Sequence, residues 1–418
     1  MLDEMRRLSP AARLLVVNQA GVNLGFFMVV PFLAAYLIDD IGMTAAAVGL
    51  VLGARTLAQQ GLFLPSGMLI DRIGPWPSIV TGCALRVVAF LGLGLAKDPL
   101  VALASVLLIG AAGALFQPAS RAYLALEATE RRAQAFAVFE VWGNAGSLLG
   151  PVLGAVLFAV DFQVGCLVAA GVFGVLTVAQ IVVLPRNHRG ERQASALVGV
   201  RRVLGDRRLA VLVLSMSGYL ALFNQLYLTL PVEAQRVTGR GDSIAAIYLV
   251  FGLLGILLQV RVTAWCSRRG WTATGAIAAG LGLMGASFVP LVVSTAVLPT
   301  ATELLGLPAA ALRVSPLLLS TMLFTLGGLV LSPYVVVVLS EYVGDRLIGT
   351  AYGWYYLVAA LSTITVAWAA GALLDLGGVP GRTLSFALLA AVGLAGALGV
   401  RAQRGHADAL RASLGRSS

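Results

Sequence analysis

Charged side chains are scarce in this chain, and that scarcity excludes most classes of soluble protein. Only 11% of the 418 residues are aspartate, glutamate, lysine or arginine, whereas soluble domains carry roughly 25%. Hydrophobic residues make up 59%, and the mean hydropathy is +0.91. A soluble protein of this composition would have no polar surface to present. The composition therefore predicts an integral membrane protein.

Cysteine and histidine are also rare. Cys83, Cys166 and Cys266 lie in or beside apolar runs without CxxC spacing, which favours small packing residues over a disulfide framework. His188 and His406 are far apart in charged segments, which disfavours a metal site. A P-loop, a nucleophile elbow and an HExxH motif are lacking as well. We therefore expect no metal, no cofactor and no enzymatic activity.

The net charge of +10 comes almost entirely from arginine, since Lys97 is the only lysine. Basic loops beside apolar spans are what the positive-inside rule produces, so we expect no nucleic-acid partner. With the N-terminus inside, 22 basic residues fall on the cytoplasmic side and five outside, with Arg55 and Arg86 within spans. This predicts a plasma-membrane protein (bacterial inner membrane) with both termini cytoplasmic. The amphipathic start lacks a cleavage site, so the first span is expected to direct insertion.

Long apolar runs are abundant. A membrane-spanning helix needs roughly 20 residues, and helices are the expected form because open backbone groups cannot be satisfied in lipid. The pattern predicts an all-α membrane protein with twelve transmembrane helices at 13–37, 44–69, 77–96, 100–123, 133–160, 164–184, 209–232, 244–265, 272–294, 316–339, 348–374 and 382–401.

A basic, polar loop divides these spans six and six. We predict an N-terminal bundle at 1–184, a cytoplasmic linker at 185–208 and a C-terminal bundle at 209–418. The stretches "QPASRAYLALEATERR" after span four and "SPYVVVVLSEYVGDR" after span ten each place an arginine thirteen residues after a proline. The match predicts two pseudo-symmetric halves, an arrangement found in transporters.

Two glycine-containing motifs sharpen this prediction. "GMLIDRIG", at 67–74, resembles motif A of the major facilitator superfamily, and "GSLLGPVLG", at 146–154, resembles motif C of its drug:proton antiporter branch. Together with "LGFFMVVPFL" and "GARTLAQQGL", they resemble bacterial multidrug exporters of the MdtH type. Two departures stand out: Pro75, Trp76 and Pro77 replace the basic residues after motif A, and span four has no arginine before Arg121. The intramembrane arginine of that branch is therefore not carried over.

The resemblance implies gating roles for both motifs. In motif A, formed by Gly67, Asp71, Arg72 and Gly74, the Asp71 carboxylate is expected at the N-terminus of span eleven, near Ile348, or else as a solvated loop charge. In motif C, Gly146, Gly150 and Gly154 form a ridge at i, i+4 and i+8, and Pro151 can kink the helix. The ridge either seals the two halves on the outer side or serves ordinary helix packing.

Charges within spans are functional candidates by default. Glu140 is the one acidic residue that the sequence places clearly within a span, and Arg55 and Arg86 are the arginines. Glu140 and Arg55 are the candidates for proton coupling. The alternatives are a static pair of Glu140 with Arg55 or Arg86, or a span whose ends are wrongly assigned.

The cavity of this fold is expected among spans one, four, seven and ten and their neighbours. Apolar and aromatic walls with few polar groups suit amphipathic ligands, although each residue taken alone could equally be a packing residue. The candidates for substrate contact are Asn18, Asn23, Phe27, Gln117, Arg121, Asn144, Asn224, Gln225, Tyr227 and Tyr355.

The sequence thus predicts a monomeric, proton-coupled exporter of amphipathic small molecules that works by alternating access, as in antibiotic efflux. Two alternatives stay open. One is a proton-coupled uptake symporter or facilitator for a small metabolite, and the other is a membrane receptor or scaffold that does not transport.

Overall fold

The computed structural model describes residues 5, 8–128, 132–186, 205–239, 243–295, 309–343 and 348–403, and every regular element in them is helical. The first seven helices are α1 Pro10–Asp39, α2 Ala45–Gly61, α3 Phe63–Ile73, α4 Pro75–Gly94, α5 Pro99–Glu127, α6 Arg132–Phe158 and α7 Phe162–Val183. The next eight are α8 Arg207–Phe223, α9 Thr229–Thr238, α10 Ser243–Arg268, α11 Ala273–Ala286, α12 Ala309–Leu331, α13 Tyr334–Val343, α14 Ile348–Asp375 and α15 Gly378–Ala402.

The predicted all-α membrane fold is confirmed. Eleven helices in the described ranges are long and apolar enough to cross a bilayer. The remaining predicted span, 44–69, is divided between α2 and α3 at Leu62, and each part is too short by itself. Pro65, in the first turn of α3, has no N–H to bond the carbonyl of Gly61, which accounts for a break at this point.

Two other spans are interrupted in the same way. Span seven consists of α8, a 3-10 turn at Asn224–Leu226 and α9, with Pro231 in the first turn of α9. Span ten consists of α12 and α13, with Pro333 between them. Hydropathy depends on the side chains alone. An uninterrupted apolar run therefore gives no sign of a helix break that is caused by a missing backbone N–H.

The contacts separate the chain into two compact units. Unit 1 comprises Met1–Met43, Ala54–Ala194 and Ala234–Gly252, and unit 2 comprises Thr44–Gly53, Ser195–Glu233 and Leu253–Ser418. In unit 1, α1 packs on α6 and α7, and α4 packs on α5 and α7. In unit 2, α11 packs on α12 and α15, and α8 packs on α14 and α15. Most of the predicted linker, 187–204, lies outside the described residues, so the predicted domain boundaries stay a prediction.

Small residues allow the helices to approach closely in both units. A Cβ built at Gly285 of α11 would lie 2.9 Å from the Cα of Gly393 on α15, and one at Gly82 of α4 would lie 3.0 Å from backbone atoms of α5. In lipid, association is driven by packing rather than by the hydrophobic effect, so such contacts are a main source of cohesion.

Candidate functional site

The glycine ridge of motif C lies against α1. Cβ atoms built at Gly146 and Gly154 would overlap the carbonyl oxygens of Ala20 and Met28, and one at Gly150 would lie 2.8 Å from the Cβ of Phe27. α6 continues without interruption through Pro151. The ridge therefore contacts a helix of its own unit, which supports the helix-packing interpretation. A gating role stays a prediction.

Motif A occupies the end of α3 and the turn that follows. Gly74 joins α3 to α4 with φ +85°, a conformation that favours glycine, while a Cβ at Gly67 would meet open space. Arg72 is exposed, and the side chain of Asp71 lies outside what the structure describes. α14 begins at Ile348, as the sequence predicts. The docking of Asp71 at that helix stays a prediction.

Glu140 does not pair with either of the arginines that the sequence suggested. Its Oε1 lies 3.4 Å from Nη2 of Arg121 on α5, and the two side chains are 54% and 49% exposed. The alternative prediction that Glu140 forms a static pair with Arg55 or Arg86 is therefore wrong. Hydropathy could not identify Arg121, because the residue lies near the end of α5, where a charge is unremarkable.

Arg55 is buried on α2, with 4% of its surface exposed. It donates hydrogen bonds to Gln59, at 3.3 Å, and to Thr56, at 3.4 Å, and its guanidinium carbon lies 5.3 Å from the centre of the Phe26 ring. A Cβ built at Gly110 of α5 would overlap the carbonyl oxygen of Arg55. The residue thus joins α2 to α1 and α5 within unit 1.

Arg86 lies between two aromatic rings. Its guanidinium carbon is 5.1 Å from the ring centre of Phe116 on α5 and 5.3 Å from that of Phe173 on α7. The side chain is buried, and its Nε and Nη1 have no hydrogen-bond partner among the described residues. Cation–π contact stabilises a desolvated cation, so a packing role accounts for Arg86.

The two asparagines of unit 1 that the sequence suggests for the cavity differ in their hydrogen bonding. Asn23 donates to the carbonyl of Gly143, at 2.9 Å, and to Ser147, at 3.1 Å, so it joins α1 to α6. Asn18, one turn earlier, is fully buried, and neither amide atom has a partner among the described residues. Of the other candidates in this unit, Asn144 is exposed and Gln117 is half-buried. The ring of Phe27 packs edge to face on that of Tyr248, with 6.3 Å between the ring centres.

Two of the four candidates of unit 2, Tyr227 and Tyr355, belong to an aromatic cluster formed by the end of α8, the turn after it and α14. Tyr227 and Tyr355 are buried, and the Tyr355 hydroxyl has no partner among the described residues. Asn224 and Gln225 are buried beside the cluster, and Thr229 donates to the Gln225 side chain. The cluster consists of two sets of rings on helices that pack together, and within each set the ring centres lie 4.7 to 6.3 Å apart: Tyr219, Phe223 and Tyr227 at the end of α8 and just after it, and Tyr352, Tyr355 and Tyr356 on α14.

Two carboxylate contacts were not anticipated from the sequence. Asp375, the last residue of α14, accepts hydrogen bonds from the amides of Ala45 and Ala46, at 2.7 and 2.8 Å, and so caps α2. Glu233 of α9 pairs with Arg382 of α15 across 3.2 Å. Partners 149 or 330 residues apart carry no sequence signal without an alignment.

Nearby acidic residues influence each other at the end of α1. Asp39 accepts a hydrogen bond from Gln235 of α9 at 2.7 Å. Desolvation raises the pKa of Asp40 above its ordinary value, and the charges of Asp39 and Asp161 raise it further. In the described residues no group of three or more histidine, cysteine or acidic side chains could hold a metal ion.

Comparisons with known proteins agree with this architecture. The family model described as Major Facilitator Superfamily matches residues 15–312. An uncharacterized MFS-type transporter of Mycobacterium tuberculosis (strain H37Rv) is 40% identical over 87% of this chain and 86% of its own length. Multidrug resistance protein MdtH of Salmonella arizonae is 32% identical over 69% of this chain and 72% of its own length.

The similarity of this chain to solved structures concerns the fold alone. A POT family transporter in complex with a thioalcohol-conjugated peptide superposes with a TM-score of 0.79 at 13% identity, over 97% of this chain and 99% of that chain. The POT family transporter PepTSo gives 0.78 at 14% identity, over 95% and 98%. The chain is a multi-pass membrane protein that belongs to the Major Facilitator Superfamily of transporters.

Proposed function

We propose that this transporter exports amphipathic small molecules from the cytoplasm in exchange for protons. The observation that carries the proposal is the aromatic cluster of α8 and α14. Six rings, five of which carry a hydroxyl group, suit flat or amphipathic ligands, whose affinity comes from ring contact and apolar burial and whose polar groups can bond the hydroxyls. The similarity to proteins named for multidrug resistance supports the same class of substrate.

The substrate contacts proposed in unit 2 are Tyr227, Tyr355, Asn224 and Gln225. A ligand with a hydrogen-bonding group could engage the buried Tyr355 hydroxyl, which otherwise has no partner among the described residues. In unit 1 the same logic favours Asn18, whose buried amide has no protein partner there either. A buried polar group without a hydrogen bond is costly, so both groups are suited to a ligand or to water.

Two of the remaining unit 1 candidates have polar protein partners already. Asn23 is bonded to α6, and Arg121 is bonded to Glu140. We propose that these residues, with Phe27, Gln117 and Asn144, line the approach to the site. Their mutual contacts would have to change as substrate enters.

The proposed mechanism is alternating access by two six-helix halves, 1–184 and 209–418, joined through 185–208, in a monomer with both termini cytoplasmic. Gly67, Asp71, Arg72 and Gly74 are proposed to gate on the cytoplasmic side, and Gly146, Gly150, Pro151 and Gly154 are proposed to seal on the outer side. The sequence offers Glu140 and Arg55 for proton coupling. Protons and substrate need only favour different access states for one gradient to drive the other.

The uptake alternative receives no separate support. The POT structures are named as peptide transporters, but an identity of 13–16% carries the fold and not the substrate.

Accumulation of ethidium in cells that produce the full chain tests the direction of transport. Export predicts lower accumulation than in cells with empty vector, and an uncoupler should abolish the difference. Higher accumulation would favour uptake. No difference with any of a panel of amphipathic probes, for protein shown to be inserted, would favour a receptor or scaffold.

A further inference from the structure

Glu233 occupies an exceptional position among the acidic residues. It lies in α9, within the apolar stretch Arg207–Thr238 that is long enough to cross the membrane. Its residue surface is only 4% exposed, and no other aspartate or glutamate is buried in the part of the chain that the structure describes. The sequence places it at the outer end of a span, whereas the structure places it inside the protein.

Its counter-charge comes from a helix that is distant in sequence. Nη2 of Arg382, in the first turns of α15, donates to Oε1 of Glu233 at 3.2 Å, and the side chains are 16% and 5% exposed. Both residues belong to unit 2. The pair therefore joins α9 to the beginning of α15 through a hydrogen-bonded contact between opposite charges.

Stability does not account for such a pair. Removing two charges from water costs about as much as their attraction returns, and apolar residues of the same volume often do as well or better. Ionisable side chains inside membrane spans are rare and commonly serve ion or proton movement. A buried carboxylate that is paired with a cation is suited to such movement, because a bound proton and the cation cannot both hold the same oxygen.

Glu140 lacks these properties. Its side chain is 54% exposed, and so is about half of Arg121. An exposed ion pair contributes little energy. Coupling requires that protonation change the relative stability of two conformations, so the buried pair is the stronger candidate.

The described helices around the pair carry few other charged residues. Arg236 lies one turn further along α9, and the intervening Gln235 binds Asp39. α15 packs on α8, α11 and α14. α11 has no charged residue, α8 has only Arg207 and Arg208 at its far end, and Asp375 of α14 is bound by the amides of α2.

We propose that Glu233 carries the coupling proton and that Arg382 competes with that proton for the same carboxylate. A proton that binds an oxygen of Glu233 neutralises the side chain and ends its ionic attraction to Arg382, which releases the start of α15 from α9. Loss of the proton restores the pair. The inference rests on the proposed proton-driven export and names the residues through which the proton acts.

The test uses the full chain in proteoliposomes, with ethidium as the probe and the membrane potential clamped. Glu233→Gln mimics the protonated carboxyl group. It should lose accumulation driven by a pH gradient, keep downhill exchange of ethidium, and make that exchange independent of pH. The matched control, Asp39→Asn, alters an exposed acidic residue that contacts the same helix and should accumulate ethidium like the wild type.

The outcomes distinguish this inference from the proposed function. If the wild-type protein shows no pH-driven accumulation, the proposed function fails. If the wild type accumulates ethidium and Glu233→Gln does so equally, Glu233 does not carry the proton. Loss of accumulation in Glu140→Gln with full activity in Glu233→Gln would return the role to Glu140.

A second measurement avoids dependence on the folding of a variant. A hydrophobic carbodiimide adds to protonated carboxyl groups, so wild-type protein should be labelled at Glu233, as mapped by mass spectrometry. Labelling should fall as the pH rises and when ethidium is bound. Labelling of Glu233 that depends on neither pH nor ethidium, or its absence at acidic pH, would overturn the proposal.

Discussion

At the scale of single residues, the sequence identified the types of side chain that matter better than it identified their partners. The spacing of Gly146, Gly150 and Gly154 predicted a close helix contact, and the structure supplies α1 as the neighbour. The charge of Glu140 was evident, but its partner was not. A partner distant in sequence depends on tertiary packing, which neither hydropathy nor periodicity contains.

Gly146 provides the most direct residue-scale test of the packing. Gly146→Ala should destabilise the protein by about 1–3 kcal/mol, the range for overpacked cores, because the new Cβ overlaps the carbonyl oxygen of Ala20. Thermal unfolding in detergent measures the effect. Gly171→Ala is the matched control, since a Cβ there meets nothing within 4 Å. Equal melting temperatures for both variants would contradict the close contact.

At the scale of helices, the sequence predicted how many spans there are but not their interruptions. Eleven helical stretches in the described ranges are long and apolar enough to cross a bilayer, and α2 and α3 form the remaining span. The breaks near Pro65, Pro231 and Pro333 depend on missing backbone N–H groups, while the hydropathy of the surrounding residues stays high. The capping of α2 by Asp375 could not be predicted from the sequence either, because the two segments come together only in the folded protein.

The capping of α2 gives an element-scale prediction. Asp375→Ala removes the acceptor of two amide hydrogen bonds, and loss of an N-terminal cap costs about 1 kcal/mol. Backbone amides in the first turn of α2 should then exchange hydrogen faster, as measured by mass spectrometry. Asp161→Ala, which removes the cap of α7, should accelerate exchange in α7 but not in α2. Unchanged exchange at Ala45 and Ala46 in Asp375→Ala would refute the cap.

The motif A segment gives a second prediction at this scale. Asp71→Asn should leave the protein inserted but lower the rate of ethidium export, because a neutral amide interacts less strongly with the N-terminus of a helix than a carboxylate does. Asp98→Asn, at the cap of α5, controls for a general loss of acidic charge. Export at the wild-type rate by well-expressed Asp71→Asn would rule out the gating role.

At the scale of the whole molecule, composition and motifs were sufficient for the family, because an apolar chain with repeated spans and motif A has few alternatives. The substrate and the residues that couple transport to protons could not be predicted in the same way. They depend on a few buried groups, such as the Tyr355 hydroxyl and the Glu233 carboxylate. Their environments arise from helices brought together by folding. The sequence indicated that Tyr227 and Tyr355 matter, and the structure places each of them in a set of contacting rings, the two sets lying on helices that pack together.

The most direct test of the central claim is accumulation of ethidium by proteoliposomes that contain the wild-type chain. The lumen is made acidic relative to the medium, and the membrane potential is held at zero so that this permanently charged probe cannot be trapped passively. We predict that lumenal ethidium rises above the external concentration as protons leave, and that an uncoupler abolishes the rise. Simple equilibration, or accumulation only when the gradient is reversed, would contradict proton-driven export.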